Sequence, residues 1–152
     1  MVRTIALKKT RIIAKPIDAN RLEEIKRMIP RRQGIWEIDF FYFPHRIQEK
    51  DGRPYYPYVI LWIEHYSGFI LNHHLAKPTN FVSEFPEQFL KLVENIESLP
   101  QEILVKREET FKLLEPLTSK LGIKLRRIKR LMALEKAQNT FLSFSSGENR
   151  NV

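Results

Sequence analysis

Cysteine is absent from the 152 residues of this chain, which excludes disulfides, thiolate nucleophiles and cysteine-ligated zinc. A metal would have to be held by histidine, carboxylate or backbone oxygen. Glycine is scarce, at 5 residues, and no Gly-rich phosphate loop or Gly-x-Ser-x-Gly elbow is formed. Nucleotide hydrolysis and acyl transfer therefore lack sequence support. No apolar run approaches the roughly 20 residues that span a bilayer, so a membrane partner is not expected. The segment Met1 to Lys9 is basic but carries neither a continuous apolar stretch nor a small-residue cleavage site, so the cytoplasm is the default location. Acids are the minority charge: 26 Lys and Arg against 18 Asp and Glu give a formal net charge of +8. Such an excess favours a polyanion if it clusters on one face, and is otherwise a solvated surface. With 43% hydrophobic residues, the length suits one soluble domain that buries a core without staples.

The pattern along the chain is that of an α/β domain. Thr4 to Lys15 alternates loosely and reads as a strand or an irregular arm. Asp18 or Asn20 would cap a short helix with Leu22, Ile25 and Met28 or Ile29 on one face, stopped by Pro30. Residues 1–34 are thus expected to form an N-terminal extension. Ile35 to Phe43 reads as a buried strand, followed by a polar connection with an Asp51-Gly52 hairpin turn. The apolar run Tyr58 to Ile63 marks a strand covered on both faces. Ser67-Gly68 turns into a third strand over Phe69 to Leu75, completing an antiparallel meander.

From Ser83 the period becomes helical, with Phe85, Phe89 and Leu92 or Val93 on one side, Pro86 in the first turn and Pro100 as terminator. A short strand around Ile103-Leu104-Val105 follows. Next come a helix containing Pro116 and capped by Gly122, a strand over Ile123 to Ile128, and a helix from Leu131 to Phe144. Strand-helix-strand units favour parallel pairing with right-handed crossovers. The core is expected at residues 35–144, with a disordered tail at 145–152.

Asp39 is the most informative residue, because a charge within Ile35-Trp36-Glu37-Ile38-Asp39-Phe40-Phe41 needs a reason. The spacing Trp36-Glu37-Ile38-Asp39, the segment Ile63-Glu64-His65-Tyr66-Ser67-Gly68, and Glu135 in the last helix together resemble the integrase and transposase catalytic core of the ribonuclease H-like superfamily. The resemblance implies a mixed sheet in which three antiparallel strands precede alternating helices and parallel strands. It also implies a first-strand Asp and a last-helix Glu holding divalent metal, so Asp39 and Glu135 are the metal candidates. Two-metal phosphoryl transfer needs carboxylates from separate elements. Where the family's fourth strand delivers a second Asp, this chain has Lys106-Arg107, a cationic pair that would repel Mg²⁺, so a degenerate acidic site is expected. An enzyme using Mg or Mn through Asp39, Glu64, Glu109 and Glu135 is the alternative, with Glu108 and Glu109 also explained as first-turn acids on a helix dipole.

The strongest polyanion signal is the run Lys120, Lys124, Arg126, Arg127, Lys129 and Arg130, to which Arg31 and Arg32 would add if their loop lies nearby. Strand alternation puts Lys124 and Arg126 on one face and Arg127 and Lys129 on the other. His73-His74 is excluded as a single-ion pair by the same alternation. Trp36, Phe41, Tyr55, Tyr56, Tyr58 and Trp62 would stack bases only if exposed, and in apolar strands they fill a core. The reading is a non-catalytic binding or assembly module requiring no cofactor, with nucleic acid as leading partner and a protein partner or homo-oligomer as the other.

Overall fold

Aromatic and branched side chains crowd three strands early in the chain: β1 (Ile35–Tyr42), β2 (Tyr58–Glu64) and β3 (Ile70–Ala76). The computed structural model describes residues 18–145; the arm expected over Thr4 to Lys15 and the tail beyond Ser145 lie outside them. A 10-residue helix, α1 (Ala19–Met28), precedes the sheet, and Asp18 caps it by accepting from the Asn20 N–H at 2.9 Å. Its Leu22 and Ile25, with Ile29 just beyond, join the main core. Arg21 ties the helix to Glu87 and Glu94 of α2 at 2.9 Å each.

After the meander come α2 (Phe81–Ile96), β4 (Glu102–Val105), α3 (Glu108–Leu121), β5 (Lys124–Arg127) and α4 (Met132–Ser145). The strand order is β3-β2-β1-β4-β5. β1 is antiparallel to β2 and β2 to β3, while β1-β4 and β4-β5 are parallel. Parallel neighbours need crossovers, supplied here by α2 and α3.

Two features depart from the expected boundaries. α2 starts at Phe81, so Pro86 lies inside the helix and leaves one carbonyl without its helical donor. Burial offsets much of that loss: Phe81 is fully buried, with ring centroids 4.5 Å from Phe40 and 4.9 Å from Tyr58, and such an aromatic contributes about 1.5–3 kcal/mol. The connection after β1 pairs Ile47 with Tyr55, but Gly52 does not take a positive φ. By contrast Gly122, at φ +72°, ends α3 in the left-handed conformation, where a side chain costs about 1–2 kcal/mol.

The sheet divides the core in two. Trp36, Ile38, Phe40, Ile60, Trp62, Ile103 and Val105 face α1, α2 and α3. Phe41, Val59, Leu61, Ile63 and Leu104 face Leu131, Leu134 and Ala137 at α4. α4 packs over β1 and β2, and with Leu104 of β4 buried in the same cluster, β5 is left open on this face. No helix among the described residues is long and apolar enough to cross a membrane.

Candidate functional site

Asp39 sits near the carboxyl end of β1, beside the carboxyl end of β4, because Ile38 pairs with Val105. The chain leaves β1 toward β2 on one side while β4 and β5 lie on the other, making this a switch point of the kind where open α/β sheets bind ligands. Asp39 is 4% exposed, and a charge so buried needs a partner. Arg107, just past β4, donates from Nε to Asp39 Oδ1 at 2.8 Å. Its guanidinium carbon also lies 4.9 Å from the Phe40 ring centroid, close enough for cation–π attraction. Burial pushes the Asp39 carboxyl above its ordinary value, against Arg107, the Phe40 N–H and Lys106, which pull it down.

Glu135, in the first turn of α4, is held by Arg130 at 2.7 Å. That bond keeps its carboxyl below the usual range against desolvation, with the charges of Arg130 and Lys106 adding to it. The Lys106 charge thus acts on both Asp39 and Glu135. The two carboxylates that the resemblance singles out are each held by a guanidinium, Asp39 by Arg107 and Glu135 by Arg130. Among the described residues no group of three or more His, Asp or Glu is gathered to hold a metal ion. Asp39 and Glu135 are the two carboxylates that would hold one, and their partners are Arg107 and Arg130.

Of the other two acids of the enzyme alternative, Glu64 stands apart from Asp39. Glu64 pairs with Trp36, three residues and about 10 Å along β1 from Asp39. Residues opposed in a ladder share a face, so Glu64 belongs to the side opposite Asp39. Its Oε1 accepts from the Ser67 N–H and Oγ–H, both at 2.8 Å. Burial raises the Glu64 pKa, but those bonds and the N–H groups of Tyr66 and Ile35 outweigh it and hold the carboxyl low. Glu64 therefore shapes the β2–β3 turn. Glu109 lies in the first turn of α3 and acts on Tyr58, whose hydroxyl is 3.2 Å from that of Tyr42. Burial, Tyr42 and Glu109 raise the Tyr58 pKa against the opposing charge of Arg107.

Sequence reasoning missed Glu37. It is 1% exposed, on the same face as Asp39, and accepts from His65 Nδ1 at 2.6 Å and from the Leu134 N–H at 2.8 Å. Leu131, immediately before α4, has no side-chain acceptor, so the carboxylate of a distant strand caps this helix. The available signal was the pair Glu37 and Asp39, two apart within one apolar strand. His73 and His74 diverge as alternation requires: the His73 ring meets Phe141 of α4, with centroids 5.5 Å apart, and His74 Nε2 bonds Glu84 of α2 at 2.8 Å.

The basic residues line the open edge strand. Lys124, Arg126, Arg127, Lys129 and Arg130 are exposed. Arg126 pairs with Glu102 of β4, and Arg127 donates to the Lys106 carbonyl at 3.3 Å. Arg32 donates to the Gly122 carbonyl at 3.2 Å, which brings its loop beside the start of β5. Arg31 bonds Gln33 through Nε at 2.9 Å. Among the described residues Lys106, Lys124 and Lys129 have no ion-pair partner. Trp36, Phe41, Tyr58 and Trp62 are buried and unavailable for stacking.

The five-stranded mixed sheet with helices on both faces is a ribonuclease H-like fold, shared with retroviral integrase catalytic cores. The BIV integrase catalytic core superposes with a TM-score of 0.57 at 12% identity, over 79% of this chain and 74% of that one. The HTLV-2 integrase catalytic core, in a complex with magnesium, gives 0.53 at 16%, over 72% of this chain and 66% of that one. A simian T-cell lymphotropic virus intasome, bound to the PP2A regulatory subunit B56 gamma, gives 0.53 at 16% over 80% of this chain but 44% of that one. The chain belongs to the family described as "Domain of unknown function (DUF6930)", whose model matches residues 21–142. No curated protein matches significantly.

Proposed function

We propose that this domain is a non-catalytic nucleic-acid-binding module, in which the acidic site of the fold is degenerate and its place is taken by cations. The observation that carries this reading is the Arg107 guanidinium on the buried Asp39 carboxylate, 2.8 Å away. A carboxylate already neutralised by a side chain holds a second cation poorly, and Lys106 adds repulsion toward any divalent ion approaching Asp39 and Glu135. What remains on this side of the sheet is suited to anions: among the described residues Lys106 and Lys124 make no ion pair, and Lys124 is exposed on the edge strand. Phosphates neutralised by such residues supply most sequence-independent affinity for nucleic acid.

The test is fluorescence anisotropy with labelled single-stranded DNA, duplex DNA, RNA and RNA–DNA hybrid, titrated in EDTA from low to moderate salt. Saturable binding that weakens with salt is expected, with the labelled strand intact after incubation in Mn²⁺. Manganese-dependent cleavage lost in Asp39→Asn would overturn the non-catalytic reading, and absence of binding at the lowest salt would overturn the nucleic-acid reading.

A second role in assembly is favoured by the apolar surface around β3. Tyr66 and Phe69 at the β2–β3 turn are 77% and 66% exposed, and Ile70 and Leu75 add to the same unpaired edge. Unpaired edge strands bearing apolar side chains pair readily with another chain. A concentration-dependent dimer in sedimentation equilibrium, weakened by Phe69→Lys, is the expected result; a monomer at every concentration would dismiss self-association.

A further inference from the structure

We infer that the exposed edge strand β5, on the side of the sheet that carries α4, is a track for one phosphodiester backbone, gripped by Lys124 and Lys106 without a metal ion. This inference rests on the nucleic-acid reading above and gives it a surface and a mode of contact. The register supplies the alignment. Lys124 pairs with Glu102 and Arg126 with Leu104, and Leu104 belongs to the core under α4, so Lys124 and Arg126 point to the α4 side. Lys106 lies two residues beyond Leu104 and continues that row, where its charge reaches Asp39 and Glu135. Same-face neighbours on a strand are about 6.6 Å apart and adjacent strands about 4.8 Å. The three cations therefore form a stepped line running toward the carboxyl ends of β4 and β5.

The surroundings favour a backbone contact. α4 packs over β1 and β2, and Leu104 of β4 is buried in the same cluster, leaving open on this side a strip about one strand, or about 5 Å, wide along β5. Glu102 faces this strip and is taken up by Arg126; Glu135 borders it and is taken up by Arg130. Lys124 and Lys106 have no such partner. None of the exposed aromatic side chains of the described residues lies on β4 or β5, so the strip offers no stacking platform, and binding to it should be independent of sequence. The cations sit in the protein itself, so the grip should also be indifferent to divalent metal.

The decisive measurement is the salt dependence of anisotropy with a labelled single-stranded oligonucleotide in EDTA. It would be made on the full chain, on Lys106→Gln/Lys124→Gln, and on Arg127→Gln/Lys129→Gln, which removes cations of the opposite parity. A labelled polyglutamate serves as a second probe. Among the described residues neither Lys106 nor Lys124 makes an ion pair, but Lys106 also acts on Asp39, so a melting curve of the first variant would show that it is folded at the assay temperature. Its slope of log affinity against log salt should be shallower by about 1.4, at about 0.7 per lost contact, while the second variant keeps the parental slope. Loss of slope only in the second variant would overturn the track while leaving nucleic-acid binding intact. Polyglutamate binding as tight as the oligonucleotide would replace the phosphodiester with an acidic peptide. Failure of the parent chain to bind the oligonucleotide at any salt would remove the underlying reading as well.

Discussion

Glu37→Ala is expected to destabilise the domain by about 1–4 kcal/mol, from a buried helix amide left without its acceptor and a negative charge lost at a helix amino end. Both bonds to the carboxylate are short, 2.6 Å from His65 Nδ1 and 2.8 Å from the Leu134 N–H, and the side chain is 1% exposed. Alanine leaves the buried Leu134 amide without an acceptor, and an unsatisfied buried donor costs about 1–3 kcal/mol, whereas the His65 ring, 35% exposed at its side chain, can turn to water. It also removes negative charge from a helix amino end, worth about 0.3–1 kcal/mol, and opens a void beside Leu134. Glu37→Gln keeps the volume and one acceptor oxygen, so it should cost less than half as much. Urea unfolding with an unchanged m-value would measure both, and hydrogen exchange should place the larger loss of protection in the first turn of α4. A cost below 1 kcal/mol for the alanine variant would show that α4 docks by its apolar face alone.

Glu37 also shows where reading the sequence reaches its limit. The element order, the buried run Tyr58 to Ile63 and the helix stop at Gly122 were legible because each depends on neighbours in sequence. Asp39 was legible as an anomaly, since an apolar strand makes a charge conspicuous. Its partner was legible only as a misfit: Lys106-Arg107 stood where an acid was expected, and 68 residues separate Arg107 from Asp39. Glu37 was hidden because its partners lie 28 and 97 residues away and strand alternation readily excuses a polar residue. Glu64 misled for a related reason. The motif order placed it near Asp39, but parity assigned it to the other face. The start of α2 was missed because tertiary burial of Phe81 overrides a positional rule for Pro86. The basic edge was legible as composition, while its alignment with Lys106 follows from the parallel register of β4 and β5.

Arg107→Ala should cost about 3 kcal/mol near neutral pH, and most of that cost should belong to Asp39. Arg107 is 29% exposed at its side chain, so water compensates much of what it loses, whereas the Asp39 side chain is 5% exposed. Without the guanidinium, a buried carboxylate keeps the Phe40 N–H and the more distant Lys106 as its stabilising contacts. Removing one partner from a buried pair typically costs about 3–5 kcal/mol, and the lower end applies where Lys106 remains. The pH dependence follows from the direction of the shift. Burial already raises the Asp39 pKa above its ordinary value in the folded protein, and loss of Arg107 raises it further. A carboxyl with a raised folded pKa contributes its full stability below the unfolded value, about 3.9, and loses that contribution as pH rises through the folded pKa. The gap between Arg107→Ala and the parent chain should therefore narrow as pH falls from neutral toward 4. Asp39→Asn in the same chain should recover most of the neutral-pH loss, because the amide carries no charge to strand. Urea midpoints at several pH values for the two single variants and the double variant would measure the coupling. A penalty that is constant with pH and unaffected by Asp39→Asn would locate the role of Arg107 in packing over Phe40, and the cation would then not be what keeps this carboxylate in the fold.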